Sequence, residues 1–178
     1  MHQIRSAPSA RIILAFGLIM AFFFSPKIYC STTLDLSKTT VVVRSGKIPL
    51  TEQTAAQVLV EEIQKRTGLK WRVTTAWPAE GNVLAISSGG NHGWVQAPPH
   101  RHGTDLEENR PEGFRLFVQS KPAKKAVIWI TGSDSRGALF GVGQFLRSID
   151  WDKHSVRVAD NLDVATSPAQ PIRGHQLG

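Results

Sequence analysis

The sequence predicts an α+β fold, an α/β sandwich in which one mixed β-sheet of about five strands carries two helices packed on one face. Three observations predict it. β-branched and apolar runs recur along the chain, as in Thr39–Val43, Val83–Ser87 and Ala126–Thr131. Helical periodicity is confined to two stretches, Glu52–Thr67 and Asp134–Ile149, and two helices cannot cover both faces of a sheet. Between Ala126 and Ile149 an apolar strand meets a glycine turn that opens directly into an amphipathic helix, which folds a helix back tightly onto a sheet.

The predicted order is β-α-β-β-(long loop)-β-β-α-β. Thr33–Arg44 reads as one strand, and Ser45-Gly46-Lys47 turns the chain. Thr51 is the expected N-cap of the first helix, with Leu50 as its staple. Ala55, Leu59 and Ile63 fall on one face, joined by Ala56 and Val60. Glu61–Lys65 and Glu62–Arg66 are i, i+4 pairs on the wet face, and Gly68 supplies the left-handed C-cap. Trp71–Thr75 alternates as a half-wet strand, and Val83–Ser87 is short and apolar. A long loop spans residues 91–112, and Gly113–Val118 and Ala126–Thr131 are the next strands. The second helix aligns Leu139, Val142, Leu146 and Ile149, with Phe145 beside them. Val156–Val158 reads as a short strand and 159–171 as a polar connector. The uncovered sheet face meets either solvent or another domain.

The first 30 residues read as a secretory signal peptide. Arg5 and Arg11 form a positive leader, Ile12–Phe24 is an apolar run of 13 residues, and Ser25-Pro26 breaks it before a cleavage point near Cys30–Ser31. That run is short for a membrane span, which needs about 20 apolar residues; an uncleaved signal anchor is the alternative. Cys30 is the one cysteine, so the processed chain has no disulfide and relies on its core. Removing Arg5, Arg11 and Lys27 lowers the net charge from +7 to +4. The remaining basic residues are scattered without aromatic interleaving, which argues against nucleic-acid binding. The expected location is periplasmic or extracellular, with no membrane association after cleavage.

The candidate chemistry is sparse. Gly132-Ser133-Asp134-Ser135-Arg136-Gly137 resembles a phosphate cradle in outline, but the lysine and hydroxyl of a P-loop are missing. Asp134 puts a carboxylate where an anion would sit and is read instead as an N-cap, while Gly137 and Gly141 let helix and sheet approach closely. His92, His100 and His102 have donors suited to zinc, but their spacing matches no compact site, and no metal or other cofactor is expected. The acids Asp105, Glu107, Glu108 and Glu112 lie in the loop, and no catalytic carboxylate pair or nucleophile elbow stands out. Trp71 and Trp129 fall in strands and are expected in the core. Trp77 and Trp94 lie in or beside loops and are candidates for a sugar or a domain contact.

Three segments together carry a resemblance. They are Thr51-Glu52-Gln53-Thr54-Ala55-Ala56 through Thr67-Gly68-Leu69, the unit Ile130–Val142, and the terminal Pro171-Ile172-Arg173-Gly174. The chain resembles the small N-terminal α/β domain that precedes the catalytic (β/α)8 barrel in bacterial β-N-acetylhexosaminidases and α-glucuronidases. Beside the signal peptide (1–30) and the linker (159–171) read above, the resemblance implies an accessory domain (31–158) and the start of a barrel that is otherwise missing (172–178). It also implies that this domain holds no catalytic residue and supports the barrel, its expected partner, with oligosaccharide as a further ligand. By the same resemblance Arg173 would contact sugar hydroxyls. The alternative expectation is a free-standing carbohydrate-binding module using Trp77, Trp94 and the 91–112 loop.

Overall fold

Local turn chemistry divides the chain more finely than periodicity alone predicts. The computed structural model describes residues 32–89, 110–120 and 125–169. Their order is β1 (Thr33–Asp35), β2 (Thr39–Val43), α1 (Leu50–Thr67), β3 (Arg72–Thr74), β4 (Asn82–Ser88), β5 (Phe114–Gln119), β6 (Val127–Gly132), α2 (Ser135–Ser148), β7 (Ile149–Asp152), β8 (Ser155–Ala159) and β9 (Asp163–Thr166). The main sheet has six strands in the order β3-β2-β4-β6-β5-β9, and a smaller sheet has three, β1-β8-β7. Strands β3, β2, β4 and β6 run parallel, β5 runs against them, and β9, antiparallel to β5, runs in their direction again. The fold is α+β with a mixed main sheet, as the sequence predicts.

The differences from expectation have local causes. Thr33–Arg44 is two strands in two sheets, because Asp35 Oδ1 accepts from the Ser37 N–H at 2.8 Å and from Ser37 Oγ at 2.6 Å. This side-chain turn swings the chain out of the small sheet and into the main one. Leu36 at the break is fully buried and donates its N–H to Val156 O at 2.8 Å. The second helix stops one residue early, because Ile149 is extended (φ −103°, ψ 147°) and opens the β7–β8 hairpin. Within 159–171, expected as a connector, β9 pairs along β5 and widens the main sheet.

Helix α1 also starts differently. Pro49, not Thr51, is its cap residue, no side chain caps it, and the Pro49 carbonyl accepts the N–H groups of Glu52 and Gln53 at 3.1 Å each. Leu50 is 77% exposed and staples nothing. The other end follows the sequence: Gly68 is left-handed (φ 77°) and donates to Gln64 O at 2.9 Å. On the wet face Arg66 pairs with Glu62 at 2.9 Å, whereas Glu61 accepts from Gln57 instead of meeting Lys65.

Both helices cover the same face of the main sheet. Ala55, Ala56, Leu59 and Ile63 of α1 and Ala138, Val142 and Phe145 of α2 share a core with Val41, Val43, Leu84, Ile86, Leu116, Ile128 and Ile130. The buried side of α2 is rotated from the predicted one, so that Leu139 and Leu146 are only half-buried. Gly141 causes this, since a Cβ there would lie 2.6 Å from Ile130 Cγ2. Alternate residues of the same strands form a second apolar cluster on the opposite face: Val42, Val83, Ala85, Phe117, Val127 and Trp129. All six are buried, while Arg72 and Asp163 at the margins of the same face are exposed.

Candidate functional site

The carboxyl ends of β2, β4 and β6 are where an open α/β sheet ordinarily holds a ligand. Two constellations occupy that end. The first is the glycine turn after β6. Gly132 and Gly137 cannot be replaced without a clash, because added Cβ atoms would lie 2.2 Å from Ala138 N and 2.1 Å from Gly113 O. Asp134 Oδ1 accepts the Gly137 N–H at 2.8 Å, and Oδ2 accepts the Glu112 N–H at 2.9 Å. Ser133 completes the closure, its N–H donating to Gly113 O at 2.9 Å and its hydroxyl to Arg110 O at 2.6 Å. The helix start that an anion would need is therefore filled from within the chain. Glu112 itself pairs with Arg136 at 2.7 Å.

The second constellation was not legible in the sequence. Glu52, in the first turn of α1, is fully buried. Arg44, just past β2, grips it in a two-pronged ion pair, Nε to Oε1 at 2.9 Å and Nη2 to Oε2 at 3.0 Å. Ser88 at the end of β4 donates its hydroxyl to Glu52 Oε2. The group fastens β2, β4 and α1 together through charge-assisted bonds. A buried acid flanked by an arginine has no signature distinct from the solvated Glu61 and Glu62 of the same helix.

The tryptophans divide as their surroundings dictate. Trp71 and Trp129 are buried, and Trp129 Nε1 donates to Gln119 Oε1 at 2.9 Å. Trp77 is half-buried against the face opposite the helices, its ring 5.5 Å from that of Trp129 between centroids. Trp151, in β7, is half-buried beneath the Arg66 guanidinium, 4.1 Å from its ring centre. Trp94, Arg173, the three loop histidines and the segment 1–30 lie outside the described residues. Among the described residues no group of three or more His, Cys, Asp or Glu is placed to hold a metal ion, and no helix is long and apolar enough to cross a membrane.

No family model and no curated protein matches the sequence. Solved structures do match the fold. The similarity to a family GH115 4-O-methyl-α-glucuronidase, BtGH115A, with specificity for decorated arabinogalactans, has a TM-score of 0.54 at 18% identity. That to the GH20 β-N-acetylhexosaminidase from Streptomyces coelicolor A3(2) has a TM-score of 0.51 at 14% identity. The fold is that of a domain-sized part of these glycoside hydrolases. The aligned regions take in 77% and 79% of this chain but only 18% and 24% of those proteins, so the chain spans a small fraction of their length.

Proposed function

We propose that this chain is a non-catalytic accessory domain of an exported glycoside hydrolase acting on carbohydrate, placed ahead of a (β/α)8 catalytic barrel. The observation that carries this reading is the closed end of the main sheet. There Glu52 is held by Arg44 and Ser88, Asp134 by two backbone N–H groups, and Glu112 by Arg136. Each carboxylate braces an element instead of facing another carboxylate across a sugar-sized gap, as glycoside hydrolysis requires. The fold likeness to parts of GH115 and GH20 enzymes supports the parent class. In this reading 1–30 directs export, and Arg173 begins the first barrel strand and contacts sugar hydroxyls.

Two measurements test it. The chain should hydrolyse no aryl glycoside across a panel of uronides and N-acetylhexosaminides; turnover abolished by one carboxylate substitution would refute the accessory role. The DNA downstream of Gly178 should continue, in frame or after a frameshift, into alternating strands and helices with a catalytic acid pair. An unrelated continuation would remove the hydrolase parent.

A further inference from the structure

The opposite end of the main sheet, where β2, β4 and β6 begin, carries an open surface cavity of about 430 Å³ lined by the exposed Asp35, Lys38 and Gly81 and the half-buried Ser37, Asn82 and Lys125. Its volume is within the range of small-molecule sites, roughly 300–1,000 Å³. The backbone beneath is satisfied within itself, with Asn82 N–H donating to Lys38 O at 3.2 Å and Val83 N–H to Ala126 O at 3.0 Å. Asn82 locks the floor, its Nδ2 donating to Asp35 O at 2.7 Å and its Oδ1 accepting the Ala126 N–H at 3.1 Å. Lys125 Nζ donates to Pro78 O at 2.8 Å, which fixes its ammonium while leaving donors over. Ser37 occupies Asp35 Oδ1 through two bonds, which orients the carboxylate and leaves Oδ2. Among the described residues the Lys38 ammonium, the remaining Lys125 donors and Asp35 Oδ2 make no further hydrogen bond, while the charges of Lys38 and of the cross-strand Arg157 act on the Asp35 carboxylate.

We propose that this cavity binds a small hydroxy-carboxylate, whose carboxylate meets the ammonium groups of Lys38 and Lys125 while a hydroxyl donates to Asp35. The three charges impose both requirements. Two cations attract an anion, and the fixed acid repels one that has no hydroxyl to offer it. A neutral polyol satisfies Asp35 but leaves the lysines with water. The site shares no residue with the closed end of the sheet, so it stands or falls independently of the accessory-domain reading.

Calorimetric titration of the full chain with gluconate, sorbitol and acetate tests this. Gluconate should bind saturably, and sorbitol and acetate at least about tenfold more weakly, the worth of one charge-assisted hydrogen bond. Lys38→Gln alters an exposed side chain that makes no hydrogen bond or ion pair among the described residues, so the fold is kept; it should weaken gluconate about tenfold. Asp35→Asn should narrow the gap between gluconate and acetate, and Lys47→Gln, outside the cavity, should change nothing. Equal binding of gluconate and acetate, no saturable binding of gluconate, or unchanged binding by Lys38→Gln would each overturn the proposal.

Discussion

The Asp134 carboxylate and the Glu112 backbone N–H are 2.9 Å apart, and that bond ties the start of α2 to the entry of β5. The other oxygen of the same carboxylate caps the helix at Gly137. Asp134→Ala therefore removes a cap and a long-range tie together. A cap alone contributes about 1 kcal/mol, and the orphaned Glu112 N–H adds about as much again. Urea denaturation should show a loss of about 2 kcal/mol, with Asp134→Asn in between because the amide keeps one acceptor. A loss no larger than an isolated cap would mean the tie to Glu112 contributes nothing.

Gly137 and Gly143 lie on the same helix and should respond oppositely to alanine. Replacing an exposed helical glycine by alanine ordinarily stabilises by up to about 1 kcal/mol. At Gly143 the nearest atom to a new Cβ is Arg147 Nη1 at 3.6 Å, so Gly143→Ala should raise the melting temperature. At Gly137 a new Cβ would lie 2.1 Å from Gly113 O, a backbone atom that cannot yield without shifting the segment before β5. Gly137→Ala should lower stability by about 2 kcal/mol or more. Parallel thermal melts decide the matter, and an equal gain at both positions would contradict the close approach of α2 to Gly113.

The Arg44–Glu52 pair calls for a double-mutant cycle. Glu52→Leu leaves Arg44 facing an apolar wall, and Arg44→Met leaves a carboxylate buried without its cation. Each single change should cost about 3–5 kcal/mol, and the double change much less, because no charge is then stranded. Additive losses in guanidinium unfolding would show that the two residues act separately.

Asp35 gives a pH dependence of defined sign. The Ser37 hydroxyl holds its carboxyl below the ordinary aspartate value, helped by the Ser37 N–H and the charges of Arg157 and Lys38 against a small opposing effect of burial. A folded value below the unfolded one means that the unfolded chain binds protons first. The stabilisation is present above the unfolded value, near pH 4, and fades as pH falls through the lower folded value. NMR titration of the Asp35 carboxyl should give a midpoint below that of a model peptide, and Ser37→Ala should move it upward. An unmoved midpoint would exclude the serine as its cause.

The readable parts of this fold are those in which one residue type does one local task. Gly68 ends α1, Asp134 caps α2, Gly141 admits the sheet, and the apolar row Ala55, Leu59, Ile63 is buried. The parts hidden from the sequence depend on distant partners. The break at Asp35–Ser37 becomes visible only when β1 finds β8 and β2 finds β4. Strand β9 lies in a polar stretch and is defined by β5, with Asp163 3.5 Å from the Arg115 guanidinium. Glu52 has the composition of a surface residue until Arg44 and Ser88 close around it. Of the named candidates Trp77 is described, while Trp94 and Arg173 lie outside the described residues.

The break at Asp35–Ser37 also sets an order of events. Among the described residues strand β1 has its sole neighbour in β8, the middle strand of the small sheet, so Thr33 pairs with Ala159 across most of the domain. As the chain is made from its amino end, the first strand must wait for nearly the last. Until residue 159 emerges, β1 has nothing to pair with, and until 166 emerges β5 lacks its outer neighbour β9. Closing so long a loop is entropically slow. The small sheet thus closes as a late clasp, after the strands of the β3-β2-β4-β6 part of the main sheet have all been made.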